Sequence, residues 1–169
     1  MASIYLFSGP CGCGKTTLST AFAEQLGQPV YVIHGDDFQA GFITPDAADG
    51  PAWPEILRFN WACILANADS ALKLGVDVVI DYIVEDELPR VQALARRHSA
   101  SLHYIVLTAD ESTLGKRLLQ RGDAWLTERS LFLKRKLEAM AENHGHLLDI
   151  TDMSIDAAIH QLTMKNFIL

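Results

Sequence analysis

The chain has 169 residues, 14 Lys and Arg against 21 Asp and Glu for a formal charge of −7, and 49% apolar residues. That balance fits one compact domain over 1–169 rather than two domains or a disordered chain. With a mean hydropathy of +0.11, no apolar run approaches the roughly 20 residues that cross a bilayer, so no membrane role is expected. An isoelectric point near 5.2 argues against a dedicated nucleic-acid binder, whose affinity rests on surplus Lys and Arg around phosphates.

The first apolar stretch, Ile4-Tyr5-Leu6-Phe7, lacks a basic flank and is too short for a signal peptide. It reads as a strand over 3–7 that runs into Gly9. Next comes Gly9-Pro10-Cys11-Gly12-Cys13-Gly14-Lys15-Thr16-Thr17, a complete G-x-x-x-x-G-K-[ST] set between that strand and a helix over 15–26. Each residue type has a chemical reason. Glycines let backbone N–H groups curl around anionic oxygens, and the helix N-terminus adds its positive end. Lys15 is expected on the β- and γ-phosphates of ATP, the Thr16 hydroxyl on Mg²⁺, and Thr17 at the α-phosphate. Cys11 and Cys13 are filler positions in this loop, where a thiol is expected to ionise easily and oxidise. With Cys63 they make an odd number without paired spacings, which fits a reducing cytoplasm rather than a disulfide framework or a four-ligand zinc site.

A second strand over 29–33 closes in His34-Gly35-Asp36-Asp37-Phe38. In an open α/β sheet the C-terminal strand ends surround the ligand crevice. A carboxylate there can therefore orient an acceptor hydroxyl and take its proton, or face a metal. Asp36 and Asp37 are both candidates. The segment 38–54 holds three prolines, two glycines, Phe38, Phe42 and Trp53. It reads as an irregular substrate-binding loop. A helix at about 54–74 follows, and Phe38, Trp53, Arg58, Asn60 and Trp61 are the groups placed to meet an acceptor. A third strand over 77–80 ends in Asp81-Tyr82, where Asp81 is expected to support Mg²⁺ or accept a substrate hydrogen bond.

The second half continues the alternation with a helix over 85–97, a strand over 102–107 and a helix over 110–121. Thr108 to Glu111 has capping-box spacing, and Gly122 is a C-terminal cap. A helix over 127–143, a strand over 146–150 and a helix over 154–164 complete a five-stranded parallel α/β pattern. The run Lys134-Arg135-Lys136 reads as a solvated helix face. Some P-loop classes are excluded. No N-K-x-D base-reading motif occurs, and Asp81 is followed by Tyr82 rather than by a second acid that would polarise water.

The P-loop, the second strand closing in G-D-D-F, the third ending in Asp81 and a late Arg-bearing helix together resemble the small P-loop kinases, the group of gluconate and shikimate kinases, chloramphenicol phosphotransferase, zeta toxins and the 5′-kinase domain of polynucleotide kinase. The resemblance spans nearly the whole chain as an order of elements. It implies a three-layer P-loop NTPase fold with sheet order 2-3-1-4-5 and an ATP- and Mg²⁺-dependent kinase. It also implies Asp36 as the base or the metal-side carboxylate. Arg117 and Arg121, four apart on one helix face, would neutralise the transferring phosphate and stack on adenine from a lid at about 117–130, with Arg129 just beyond. The chain lacks the shikimate kinases' three-glycine motif, the gluconate kinases' His-Pro after the acidic pair, and a G-F-P-R segment. The acceptor is therefore left as a small molecule, with a polynucleotide 5′ end still open. A nucleotide-binding regulatory module without such an acceptor is the competing reading.

Overall fold

The computed structural model of the protein describes residues 2–44, 50–165 and 167–169. Five parallel strands, β1 (Ser3–Ser8), β2 (Val30–His34), β3 (Asp77–Asp81), β4 (Ser101–Thr108) and β5 (Leu147–Asp149), form one sheet in the order β2-β3-β1-β4-β5. This is the expected P-loop NTPase order. β1 is central and pairs on both sides, Leu6 with Ile80 on one edge and with Tyr104 on the other. Strands covered on both faces must be apolar throughout, and β3 is buried at all five positions.

Among the described residues, six α-helices divide between the faces. α1 (Lys15–Gln25) and α6 (Ile155–Met164) cover one side, where Phe7, Leu18, Phe22, Val79 and Ile159 pack. α2 (Trp53–Lys73) and α3 (Leu88–His98) cover the other, with Trp61, Ile64, Val91 and Tyr104. α5 (Thr127–Ala139) adds Leu133 and Leu137 to that second cluster, and α4 (Glu111–Arg121) packs beside α5. Trp61 and Asn60, offered above as acceptor contacts, are wholly buried; Trp61 meets the Tyr82 ring edge-on at 5.7 Å.

Several element ends differ from expectation for local reasons. α3 starts at Leu88 rather than 85, because the Glu87 carboxylate accepts the Glu85 and Asp86 amides and holds a turn ahead of Pro89. α4 is capped by Asp110, whose carboxylate accepts the Thr113 N–H at 2.6 Å. The expected Thr108 cap is absent, since that hydroxyl, at the end of β4, donates to Glu138. Gly122 closes α4 at φ 80° as expected. α5 ends at Ala139 because Met140 turns extended before a short 3₁₀ turn over Ala141–Asn143. Part of the presumed irregular segment is ordered as well: Gly35–Gly41 is a 3₁₀ helix and Trp53 already belongs to α2. Residues 45–49 of that segment lie outside the described residues. Among the described residues, no helix is long and apolar enough to cross a membrane.

Candidate active site

The phosphate-loop residues follow the C-terminal end of β1, where backbone sterics fix their shape. Gly9 sits at φ 145°, and a Cβ there would lie 2.5 Å from the Leu107 carbonyl. Only glycine fits such a crossing. α1 opens on Gly14 without a side-chain cap and without an acidic residue in its first turn. Its first N–H groups and dipole are thus left to an anion. The Lys15 ammonium donates to the Gly9 and Pro10 carbonyls at 2.9 and 3.1 Å. Thr16 and Thr17 lie exposed in the first turn of α1.

Two outer helices hold the loop from behind. Arg117 of α4 donates to the Cys13 carbonyl at 3.1 Å, and the buried Ser130 of α5 donates to the Cys11 carbonyl at 2.6 Å. The Cys13 thiol is buried, and burial pushes its pKa up despite Lys15 close by. The expected easy ionisation of Cys13 is therefore corrected: desolvation outweighs the positive end of the helix.

The acidic groups separate into two roles. Asp81, at the end of β3, is 3% exposed; its Oδ2 accepts from the Ser19 hydroxyl at 2.8 Å and lies 2.7 Å from His34 Nδ1. It thus ties α1 and β2 together beneath the loop rather than facing an acceptor. Asp36, one residue past Gly35, stands at a cavity wall. Although it reaches solvent, partial desolvation, with Asp81 and Asp37 nearby, holds its pKa above the ordinary aspartate value against the pull of Lys15 and Arg121. Asp37 is exposed in the same 3₁₀ helix, and Phe38 packs half-buried against the core. Gly35 is required by Tyr82, whose ring would lie 2.4 Å from a Cβ at that position. Tyr82 in turn accepts from Asn60 Nδ2 at 2.8 Å, and burial pushes its phenol up to about 12.

Two cavities meet the loop from opposite sides. The first, about 330 Å³, runs between Gly12-Cys13-Gly14 and Thr17 on one wall and Arg117, Gln120 and Arg121 on the other. Ile150 and Met153, between β5 and α6, and Ile155, which opens α6, close it with apolar surface. Arg121 there pairs with Asp123 at 2.9 Å. The second cavity, about 370 Å³, contains Gly9, Cys11, Lys15 and Asp36 together with Arg129. Arg129 is ion-paired with Glu85, which also holds Lys136 at 2.8 Å. Despite burial, which alone would raise it, these two cations keep the Glu85 carboxyl below its ordinary value. The run 134–136 is consequently not a free solvated face: Lys134 meets Glu138, Arg135 meets Glu111 and Lys136 meets Glu85.

The structure therefore brings Lys15 and Asp36 together and puts Arg117 and Arg121 on the other side of the loop. Arg58 stays on the exposed side of α2 and lines neither cavity. Sequence reasoning missed Gln120, Met153, Tyr82, Trp125, Leu126 and Leu133 as wall residues. Only Trp125 carried a usable signal, a large aromatic in the break between two helices.

This sheet order, loop and strand-end carboxylate belong to a described family, whose model, an AAA domain (AAA_33), matches residues 4–158. The chain belongs to that AAA domain family. It is 27% identical over 143 residues to the "Replication factor C small subunit" of Haloarcula marismortui, covering 85% of this chain and 29% of that protein. The chain thus spans under a third of the length of that relative. It is 26% identical over 129 residues to the "Probable gluconokinase" of Schizosaccharomyces pombe, covering 73% of this chain and 65% of that protein. Among solved structures, a sugar kinase from Janibacter sp. HTCC2649 superposes with a TM-score of 0.67 at 15% identity, covering 98% of this chain and 94% of the other. The fold is accordingly the one small kinases use, as the order of motifs implied.

Proposed function

We propose that this AAA-family domain is an ATP- and Mg²⁺-dependent phosphotransferase that moves the γ-phosphoryl group to a hydroxyl of a small-molecule acceptor. One observation carries the reading: a cavity separate from the Arg117 side of the loop joins Lys15, at the end of the phosphate loop, to Asp36, a strand-end carboxylate. ATP would lie with its nucleoside in the first cavity and its γ-phosphate toward the second. Arg117 and Arg121 would then contact the nucleotide. Asp36, its pKa held above the ordinary aspartate value by partial desolvation, would orient the acceptor hydroxyl and take its proton as the new bond forms. Lys15 would neutralise charge on the transferring group; Arg129, in the same cavity, is held by Glu85. Asp37 and Phe38 follow Asp36 in the same 3₁₀ helix without lining the cavity, and neither Arg58 nor Asp81 lines it.

Thr16 at the first turn of α1 and Asp36 suit Mg²⁺. Among the described residues no cluster of three or more His, Cys, Asp or Glu exists, and Mg²⁺ characteristically takes one or two protein oxygens and completes its shell with phosphates and water. When bound it would neutralise charge on the nucleotide's phosphates. Three free thiols support a cytoplasmic location. The segment at about 38–54 and a lid at about 117–130 complete the single functional unit.

The match to a replication factor C small subunit favours a second reading, an ATP-hydrolysing or regulatory module. Tyr82 speaks against it, because this phenol, raised to about 12, occupies the position where a water-polarising acid would follow Asp81. The deciding experiment measures ADP release over a panel of hydroxyl compounds, with mass spectrometry of the products. Acceptor-dependent release and a phosphorylated product support transfer. ADP release indifferent to every acceptor overturns it.

A further inference from the structure

Resting on the phosphotransferase reading, the second cavity points further, to the chemical class of the acceptor. We propose that it takes an uncharged alcohol with a flat apolar body, and selects against acidic sugars and nucleic-acid ends.

The polar groups of the cavity are already committed. Lys15 belongs to the phosphate loop, and Asp36 is placed for the reacting hydroxyl. Arg129 is ion-paired with Glu85, which is itself 11% exposed and shared with Lys136. With Lys15 and Arg121 taken by the nucleotide in this reading, no cation without an acidic partner is left on the described cavity wall for a carboxylate or phosphate of an acceptor, and an anion brought there would face Asp36 with Asp37 and Asp81 near it. Unpaired like charge is a means of rejecting the wrong partner.

The rest of the wall is apolar: Trp53, Tyr82, Ile83, Trp125, Leu126 and Leu133. Trp53 begins α2, whereas Trp125 lies in the 3₁₀ turn Ala124–Leu126 between α4 and α5, so two separate elements supply the indoles. These two side chains are 45% and 77% exposed, unlike Trp61, which is buried in the core. Large aromatic faces left open to water beside a reacting carboxylate gain from being covered by an apolar ring. At about 370 Å³ the cavity sits near the small end of small-molecule sites, roughly 300–1,000 Å³, which suits a compact molecule.

The test is a ligand-observed NMR titration of the full chain, with a non-hydrolysable ATP analogue present, against 2-phenylethanol, gluconate and a 5′-hydroxyl dinucleotide. Binding of 2-phenylethanol at least tenfold tighter than either anion is expected. Trp125→Ala should erase that margin and Trp125→Phe should keep most of it; circular dichroism checks that both variants fold. Equal or tighter binding of gluconate or the dinucleotide overturns the proposal, as does failure of 2-phenylethanol to bind, or a margin that Trp125→Ala leaves intact. Turnover separates the two readings. If 2-phenylethanol binds as expected but no hydroxyl compound is phosphorylated, the transferase reading falls and the acceptor-site chemistry stands.

Discussion

The two sides of the phosphate loop are built on different principles. The first cavity is framed by loop backbone, two arginines four residues apart and apolar groups from one late segment, Ile150 to Ile155. The second is framed by single side chains delivered from the ends of β2 and β3, the start of α2, a 3₁₀ turn and α5. A nucleotide's phosphates can be recognised by main-chain N–H groups whatever the neighbouring side chains are. An acceptor is recognised only by side chains, so that half of the site is free to change chemistry on an unchanged scaffold.

Loss of the loop's own cation should have the largest effect. Lys15→Ala should lower kcat/KM on the order of 10³-fold or more, by loss of the cation at the transferring group. If it leaves turnover intact, the loop is not where transfer occurs. Asp36→Asn acts chiefly on the acceptor: kcat should fall about 10²-fold or more, with the affinity for ATP measured without Mg²⁺ unchanged. Because the Asp36 pKa is raised, the base is lost as pH falls through a value above that of an ordinary aspartate. The acidic limb of wild-type kcat/KM should accordingly lie above the usual Asp range.

Gly35→Ala tests how the carboxylate is seated. A methyl driven against Tyr82 should cost about 1–3 kcal/mol by overpacking, read as a lower denaturant midpoint. Arg117→Ala belongs to the nucleotide side. It removes the bond to the Cys13 carbonyl and should raise the Kd for ATP about tenfold, the order expected for one charged hydrogen bond, while leaving acceptor preference untouched. The smallest effect is remote from both cavities. Lys73 and His98, with Arg97, hold half-buried Asp69 down to about 2. Its stabilising contribution is present above the ordinary aspartate range and is lost as pH falls toward 2. The Tm gap between wild type and Asp69→Asn should thus be small at neutral pH and close on acidification.

How legible each side was in sequence follows the same division. The loop could be read residue by residue, because its glycines, Lys15 and Thr16 act through local backbone geometry. The strands, too, were placed within two residues, since a parallel sheet covered on both faces leaves unbroken apolar runs. Asp36 was legible as a strand-end carboxylate. The acceptor wall was not, because Trp125 and Leu133 reach it only once α5 packs over the loop, a contact between residues more than a hundred positions apart. Trp61 looked equally available, yet it is α2's core residue. Cys13 misled for a related reason: its proximity to a helix N-terminus is visible in sequence, but its burial under the fold is not.

The bonds from Arg117 and Ser130 to the loop do more than fasten two helices. Within a planar trans peptide the C=O of one residue and the N–H of the next point in opposite directions. With the Cys11 carbonyl turned to Ser130 and the Cys13 carbonyl turned to Arg117, the amides of Gly12 and Gly14 must point away from α5 and α4. Two helices that follow the fourth strand thereby set the compass heading of donors near the start of the chain, and a hydroxyl lost from Ser130 would be felt as a rotated peptide rather than as a missing contact.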